Sequence, residues 1–138
     1  MAYVMIVEDE KDLARTMSQS LTLAGYETQV AHDGDEAIAL MKQRLPDIVM
    51  SDLEMPYLDG EGLAARMLFE DCGKERIPIL VVSGNSKLET VARRIGTPYF
   101  AAKPFDFKAL FVLLERILRE RIAPKPPGLG APPAVSST

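Results

Sequence analysis

The apolar positions of this chain alternate between short unbroken runs and helical spacing, and the alternation continues almost to residue 122. Tyr3–Val7 is a run of aliphatic and β-branched residues, which predicts a strand. Leu13, Met17, Leu21 and Ala24 then recur at three- or four-residue intervals, which predicts a helix over Asp12–Ala24 with Gly25 as its stop. Thr28–Ala31 reads as a weaker strand. Asp35–Arg44 places Ala37, Ile38 and Met41 on one side of a helix, and Pro46 stands just beyond its end. Asp47–Ser51 predicts a third strand. Pro56 to Gly62 is rich in Pro, Asp and Gly and predicts a loop, with a third helix over Gly62–Asp71. Ile79–Val82 is wholly apolar, as in a strand covered on both faces. Leu88–Ile95 is a short helix ended by Gly96, Tyr99–Ala102 a fifth strand, and Asp106–Arg121 a last helix with Asp106 as its N-cap.

Strands that alternate with helices imply an α/β fold: a parallel sheet, doubly wound, with helices on both faces. In such sheets ligands bind outside the carboxyl ends of the strands. Composition adds limits. The 138 residues are one domain's worth, with 47% apolar and 26% charged residues. A lone cysteine, Cys72, excludes an internal disulfide and a thiolate zinc site, and a lone histidine, His32, excludes a histidine metal cluster. The net charge of −4 argues against a general nucleic-acid binder. No apolar run approaches the ~18 residues of a membrane span. The first residues show no basic lead or cleavage site, so a reduced, cytoplasmic location is expected. Composition shifts once. Residues 123–138 hold five of the ten prolines and a single charge, Lys125, which predicts a flexible tail or linker after a domain at 1–122.

The residues just past the strands carry the chemistry. The first strand runs into Glu8-Asp9-Glu10, the third into Ser51-Asp52, the fourth into Ser83-Gly84 and the fifth into Ala102-Lys103-Pro104. Crowded carboxylates repel one another, and a hard divalent cation such as Mg²⁺ relieves this through oxygen ligands. A carboxylate can also act as nucleophile toward a phosphoryl group, whose transfer needs positioning and charge neutralisation. A lysine ammonium and a hydroxyl complete that set.

Val7-Glu8-Asp9-Glu10, Asp52-Leu53-Glu54-Met55-Pro56 with Asp59-Gly60, Ser83-Gly84 and Lys103-Pro104-Phe105 together resemble the receiver domain of two-component response regulators. The resemblance covers residues 3 to about 121. It implies a flavodoxin-like, chemotaxis-regulator-like sheet of strand order 2-1-3-4-5. It implies that Asp52 accepts a phosphoryl group from the phosphohistidine of a partner histidine kinase or phosphotransfer protein. Asp9 and Asp52 would ligate Mg²⁺, or Mn²⁺ in its place, with the main-chain carbonyl of Glu54 and, through water, Glu8. Ser83 would donate its hydroxyl to the acyl phosphate, and Lys103 would pair with a phosphoryl oxygen. The Lys103–Pro104 bond would be cis. Phe100 would be the switch aromatic, moving with Ser83 to reshape the surface of the fourth helix, fifth strand and last helix for a downstream protein. No enzymatic turnover is expected beyond self-phosphorylation and self-dephosphorylation.

Other signals are smaller. Glu54 and Asn85 stand where the family tunes the lifetime of the acyl phosphate. Phe111 and Val112 widen the apolar face of the last helix and would serve a partner or a homodimer. His32 reads as a surface loop residue. A chain that signals alone, through protein contacts, is the first expectation. A receiver piece of a longer regulator or hybrid kinase is the second, and a non-phosphorylated binding module the third.

Overall fold

The structure, a computed structural model, describes residues 1–53, 60–69 and 76–125. Among these the elements run β1 (Tyr3–Val7), α1 (Lys11–Leu23), β2 (Glu27–Ala31), α2 (Gly34–Gln43), β3 (Ile48–Asp52), α3 (Gly60–Phe69), β4 (Ile79–Ser83), α4 (Leu88–Ile95), β5 (Tyr99–Ala102) and α5 (Phe107–Glu120). All strand pairs are parallel, in the order β2-β1-β3-β4-β5. This is the doubly wound sheet that the alternation implies, in the flavodoxin-like strand order that the resemblance implies. No helix among the described residues is long and apolar enough to cross a membrane.

Side chains alternate across each strand and divide the core into two layers. Met5, Val7, Val49, Ile79 and Val81 face the layer that holds α2, α3 and α4. Val4, Ile6, Met50, Leu80, Val82 and Tyr99 face the layer closed by α1 and α5. Burying such a side chain stabilises the fold by about 1.5–3 kcal/mol relative to exposure. The helix ends follow local chemistry. Asp33 accepts the Glu36 amide at 2.8 Å and caps α2, and Asp106 accepts the Lys108 amide at 3.1 Å and caps α5. Gly96 ends α4 in the left-handed region at φ 86°, which glycine adopts without a Cβ penalty.

Element bounds differ from the pattern by a residue or two. β2 starts at Glu27 because Glu27 pairs with Tyr3. β3 runs one residue further, since Asp52 pairs with Val82. α3 starts at Gly60, two residues before the pattern predicts. Beyond α5 the chain stays against the domain through Lys125, whose amide donates to the Gly96 carbonyl at 3.0 Å.

Candidate functional site

Register brings the polar strand ends level with one another. Val7 pairs with Ser51, Asp52 with Val82, and Ser83 with Ala102. The ladder then continues one residue past the strands. Glu8 N donates to Ala31 O at 2.9 Å, Leu53 N to Val82 O at 3.1 Å and Lys103 N to Ser83 O at 3.1 Å. The main chain at Glu8, Asp52, Ser83 and Lys103 is therefore fixed by the sheet before any side chain meets another.

The side chains converge above it. Carboxylate oxygens of Glu8, Asp9 and Asp52 all lie within 4.8 Å of one another. Glu8 is 1% and Asp52 7% exposed, while Asp9 stands at the open rim. Lys103 Nζ donates to Glu8 Oε1 at 2.9 Å and lies 3.5 Å from Asp52 Oδ2. Glu8 Oε2 accepts the Glu10 amide at 3.2 Å. Burial pushes the Glu8 carboxyl above its ordinary pKa, against the pull of the Lys103 hydrogen bond and the Glu10 amide, and the Asp52 charge adds to the rise. Burial pulls Lys103 down, but its hydrogen bond to Glu8 and the Asp52 charge outweigh this and hold the ammonium protonated. Three carboxylates against one ammonium leave two formal negative charges in the cleft.

That donor set fits a small divalent cation. The oxygens are hard ligands, and on one Mg²⁺ at about 2.1 Å they would stand roughly 3–4 Å apart, close to the spread already present. Glu54, whose carbonyl the resemblance adds to the ligands, lies outside the described residues, as do Met55, Pro56, Asp59 and Cys72. Ser83 is 1% exposed, and its Oγ accepts the Asn85 amide at 3.0 Å. A hydroxyl oxygen that accepts there can still donate its own proton. The Lys103–Pro104 bond is cis.

Phe100 does not join this cluster. Tyr99 and Ala101 face the α1/α5 layer, so Phe100 faces the α4 side, and it is 39% exposed. Two grooves flank the site. One of about 500 Å³ is lined by Leu13, Thr16, Lys103, Pro104, Phe105 and Phe107. The other, about 320 Å³, runs beside Phe100 and Ala102 to Leu113. His32 is a surface residue whose amide donates to Glu36 Oε1 at 2.6 Å. The sequence reading left Tyr99 out, yet it is fully buried and its hydroxyl donates to Glu120 Oε1 at 2.9 Å. An aromatic run, Tyr99-Phe100, on a short strand was the one available signal.

The family model of the response regulator receiver domain matches residues 4–115. The chain is 31% identical over 118 residues to the regulatory protein AtoC of Escherichia coli, covering 84% of this chain and 25% of AtoC. It is 28% identical over 120 residues to the transcriptional regulatory protein PrrA of Mycobacterium tuberculosis, covering 86% of this chain and 50% of PrrA. The structure of Vibrio cholerae chemotaxis protein CheY4 superimposes with a TM-score of 0.77 at 28% identity, covering 85% of this chain and 98% of CheY4. The chain belongs to the response regulator receiver domain family of two-component systems. It spans a quarter to a half of the curated regulators described above.

Proposed function

We propose that this chain is a phosphoacceptor switch in which Asp52 takes a phosphoryl group from the phosphohistidine of a partner kinase or phosphotransfer protein. A cleft in which a half-buried lysine ammonium lies 2.9 Å from the buried Glu8 and 3.5 Å from Asp52 carries this reading. An Asp52 carboxylate oxygen attacks phosphorus. The bond from phosphorus to the imidazole nitrogen breaks, and its electron pair leaves with the imidazole. Mg²⁺, or Mn²⁺ in its place, would be held by Asp9, Asp52 and the Glu54 carbonyl, with Glu8 through water, and supplies neutralisation of the phosphoryl charge. Lys103 turns from the carboxylates to a phosphoryl oxygen, and Ser83 donates its hydroxyl to another. The apolar groove beside Lys103 suits a helix of the phosphodonor, since it opens next to the acceptor.

Phosphorylation adds about −1.5 to −2 charge at Asp52. Ser83 is drawn toward it, Phe100 turns inward, and the α4, β5 and α5 surface changes for a downstream protein. The chemistry stops at the chain's own phosphoryl group, so this is a switch and not an enzyme with an external substrate. A second reading has its own support: relatives of which the match covers only 25% and 50% favour a receiver that works within a larger regulator. Any DNA contact then belongs to the parts beyond this family domain. The cytoplasm, where kinases and phosphodonors meet, is the proposed location.

Intact mass after incubation with Mg²⁺ and acetyl phosphate tests the reading. One phosphoryl group is expected on the wild type and none on Asp52→Asn. An adduct on both proteins, or on neither under stabilising conditions with beryllofluoride also failing to bind, would overturn it.

A further inference from the structure

The amino-terminal edge of the sheet, opposite the phosphoryl site, carries a group of contacts that tie down the chain where it leaves α5. The Tyr99 hydroxyl donates to Glu120 Oε1 at 2.9 Å, and Arg116 Nε donates to the same oxygen at 3.2 Å. The Arg116 guanidinium lies over the Tyr99 ring, 5.5 Å from its centroid. The Ile122 backbone also interacts with the Tyr99 hydroxyl. Arg121 holds a left-handed φ of 54°, and its Nη1 donates to Asp47 Oδ1 at 3.1 Å. Lys125 N donates to Gly96 O at 3.0 Å.

The left-handed end at Arg121 is common for a helix, but the bonds to Tyr99 and Asp47 reach beyond α5 to the sheet edge. A non-glycine residue at positive φ persists where its surroundings hold it. Here the Arg121 side chain is held twice, by Asp47 and by the Leu118 carbonyl at 3.0 Å. Tyr99 is fully buried, so its hydroxyl cannot exchange Glu120 for water without moving the strand or the helix end. Tyr99 also precedes Phe100 on a four-residue strand whose far end is Lys103's neighbour. All four residues of the strand pair with β4, so a shift of the paired strand toward Asp52 at its carboxyl end would carry the Tyr99 hydroxyl with it at its amino end.

We propose that the Tyr99–Glu120 contact is a latch that couples the phosphoryl site to the chain leaving the domain, closed in the unmodified protein and opened when β5 shifts. This rests on the phosphoacceptor reading and extends it to regulation of the segment that starts at Ile122. Tyr99 and Glu120 touch neither the phosphoryl group nor its ligands, so they act as coupling residues only.

Amide hydrogen exchange of the full chain tests this, with Mg²⁺ and with or without beryllofluoride, in wild type, Tyr99→Phe and Glu120→Ala. Beryllofluoride is expected to speed exchange at Ile122 and Lys125 by about fivefold to tenfold in the wild type, as expected for loss of one hydrogen bond. In both variants these amides should exchange fast from the start and ignore beryllofluoride, while Ser83 and Phe100 still respond to it. Wild-type protein whose Ser83 and Phe100 amides respond while Ile122 and Lys125 do not would overturn the latch and leave the phosphoacceptor reading intact. No response at any of the four would overturn both. Glu120→Ala keeps the test in force should Tyr99→Phe fail to fold.

Discussion

Lys103 and Ser83 are joined main chain to main chain: the Lys103 amide donates to the Ser83 carbonyl at 3.1 Å. The ammonium and the hydroxyl proposed to meet the phosphoryl group therefore ride on one hydrogen-bonded pair. Movement of Ser83 toward Asp52 would draw the start of the Lys103–Pro104 turn with it, and Phe100 lies three residues upstream of Lys103, on β5.

Removing the hydroxyl tests the chemical half of that pair. The Ser83 hydroxyl accepts the Asn85 amide, a bond worth about 1 kcal/mol, so Ser83→Ala should stay folded. Its rate of adduct formation from acetyl phosphate should fall by about 10²-fold, the usual loss for one donor to a reacting oxyanion. Timed intact-mass measurements give the rate, and an unchanged rate would remove Ser83 from the mechanism.

Removing the ammonium tests the electrostatic half. In Lys103→Ala the buried Glu8 carboxylate faces Asp9 and Asp52 with the one ammonium paired to it among the described residues removed. Loss of one partner of a largely buried pair should cost about 2–3 kcal/mol without divalent cation. Added Mg²⁺ should then raise the melting temperature of the variant more than that of the wild type. Equal increments in the two proteins would mean that the lysine charge and the cation do not share the site.

Phe100 and Leu114 should separate signalling from stability. Phe100 is 39% exposed, so Phe100→Ala should change stability by less than about 1 kcal/mol and leave phosphoryl uptake intact. It should abolish the phosphorylation-dependent change at the α4 and β5 amides. Leu114 is fully buried, and Leu114→Ala should cost about 2–5 kcal/mol in a urea titration.

Much of this architecture is legible in local pattern. Leu88–Ile95 and Tyr99–Ala102 have the predicted bounds because Gly96 and the two flanking breaks act within a few residues. The four polar strand ends are legible because a parallel sheet puts every carboxyl end on one edge. Lys103's partner in the unmodified protein was not legible. Its bond to Glu8 spans 95 residues, and only register decides which of three carboxylates it meets. The same holds for Asp47, read as the first residue of a strand. It serves as a junction that accepts the Tyr3 amide at 2.8 Å and Arg121 Nη1 at 3.1 Å. Apolar spacing starts α2 at Asp35; the cap is Asp33, and Glu36 reaches back to the His32 amide, contacts that apolar spacing does not show.

Asp47 also gives a pH dependence. Burial raises its pKa, but the Tyr3 amide and Arg121 more than offset this and hold it below the ordinary carboxylate range. A depressed folded pKa contributes stability that is present above the unfolded pKa, about 4, and is lost as pH falls through the folded value. Asp47→Asn should therefore be less stable than wild type at pH 7, by less than about 1 kcal/mol after solvent screening, and the two should converge as pH falls through the folded value. Urea midpoints across that range check the sign. A gap that widens as pH falls would contradict it.

The most direct test locates the phosphoryl group itself. The protein is incubated with Mg²⁺ and acetyl phosphate and reduced with borohydride, which converts an aspartyl phosphate to homoserine, and its peptides are then sequenced by mass. The account predicts homoserine at position 52 and at no other carboxylate. Reduction at Asp9 instead, or label that persists in Asp52→Asn, would contradict it.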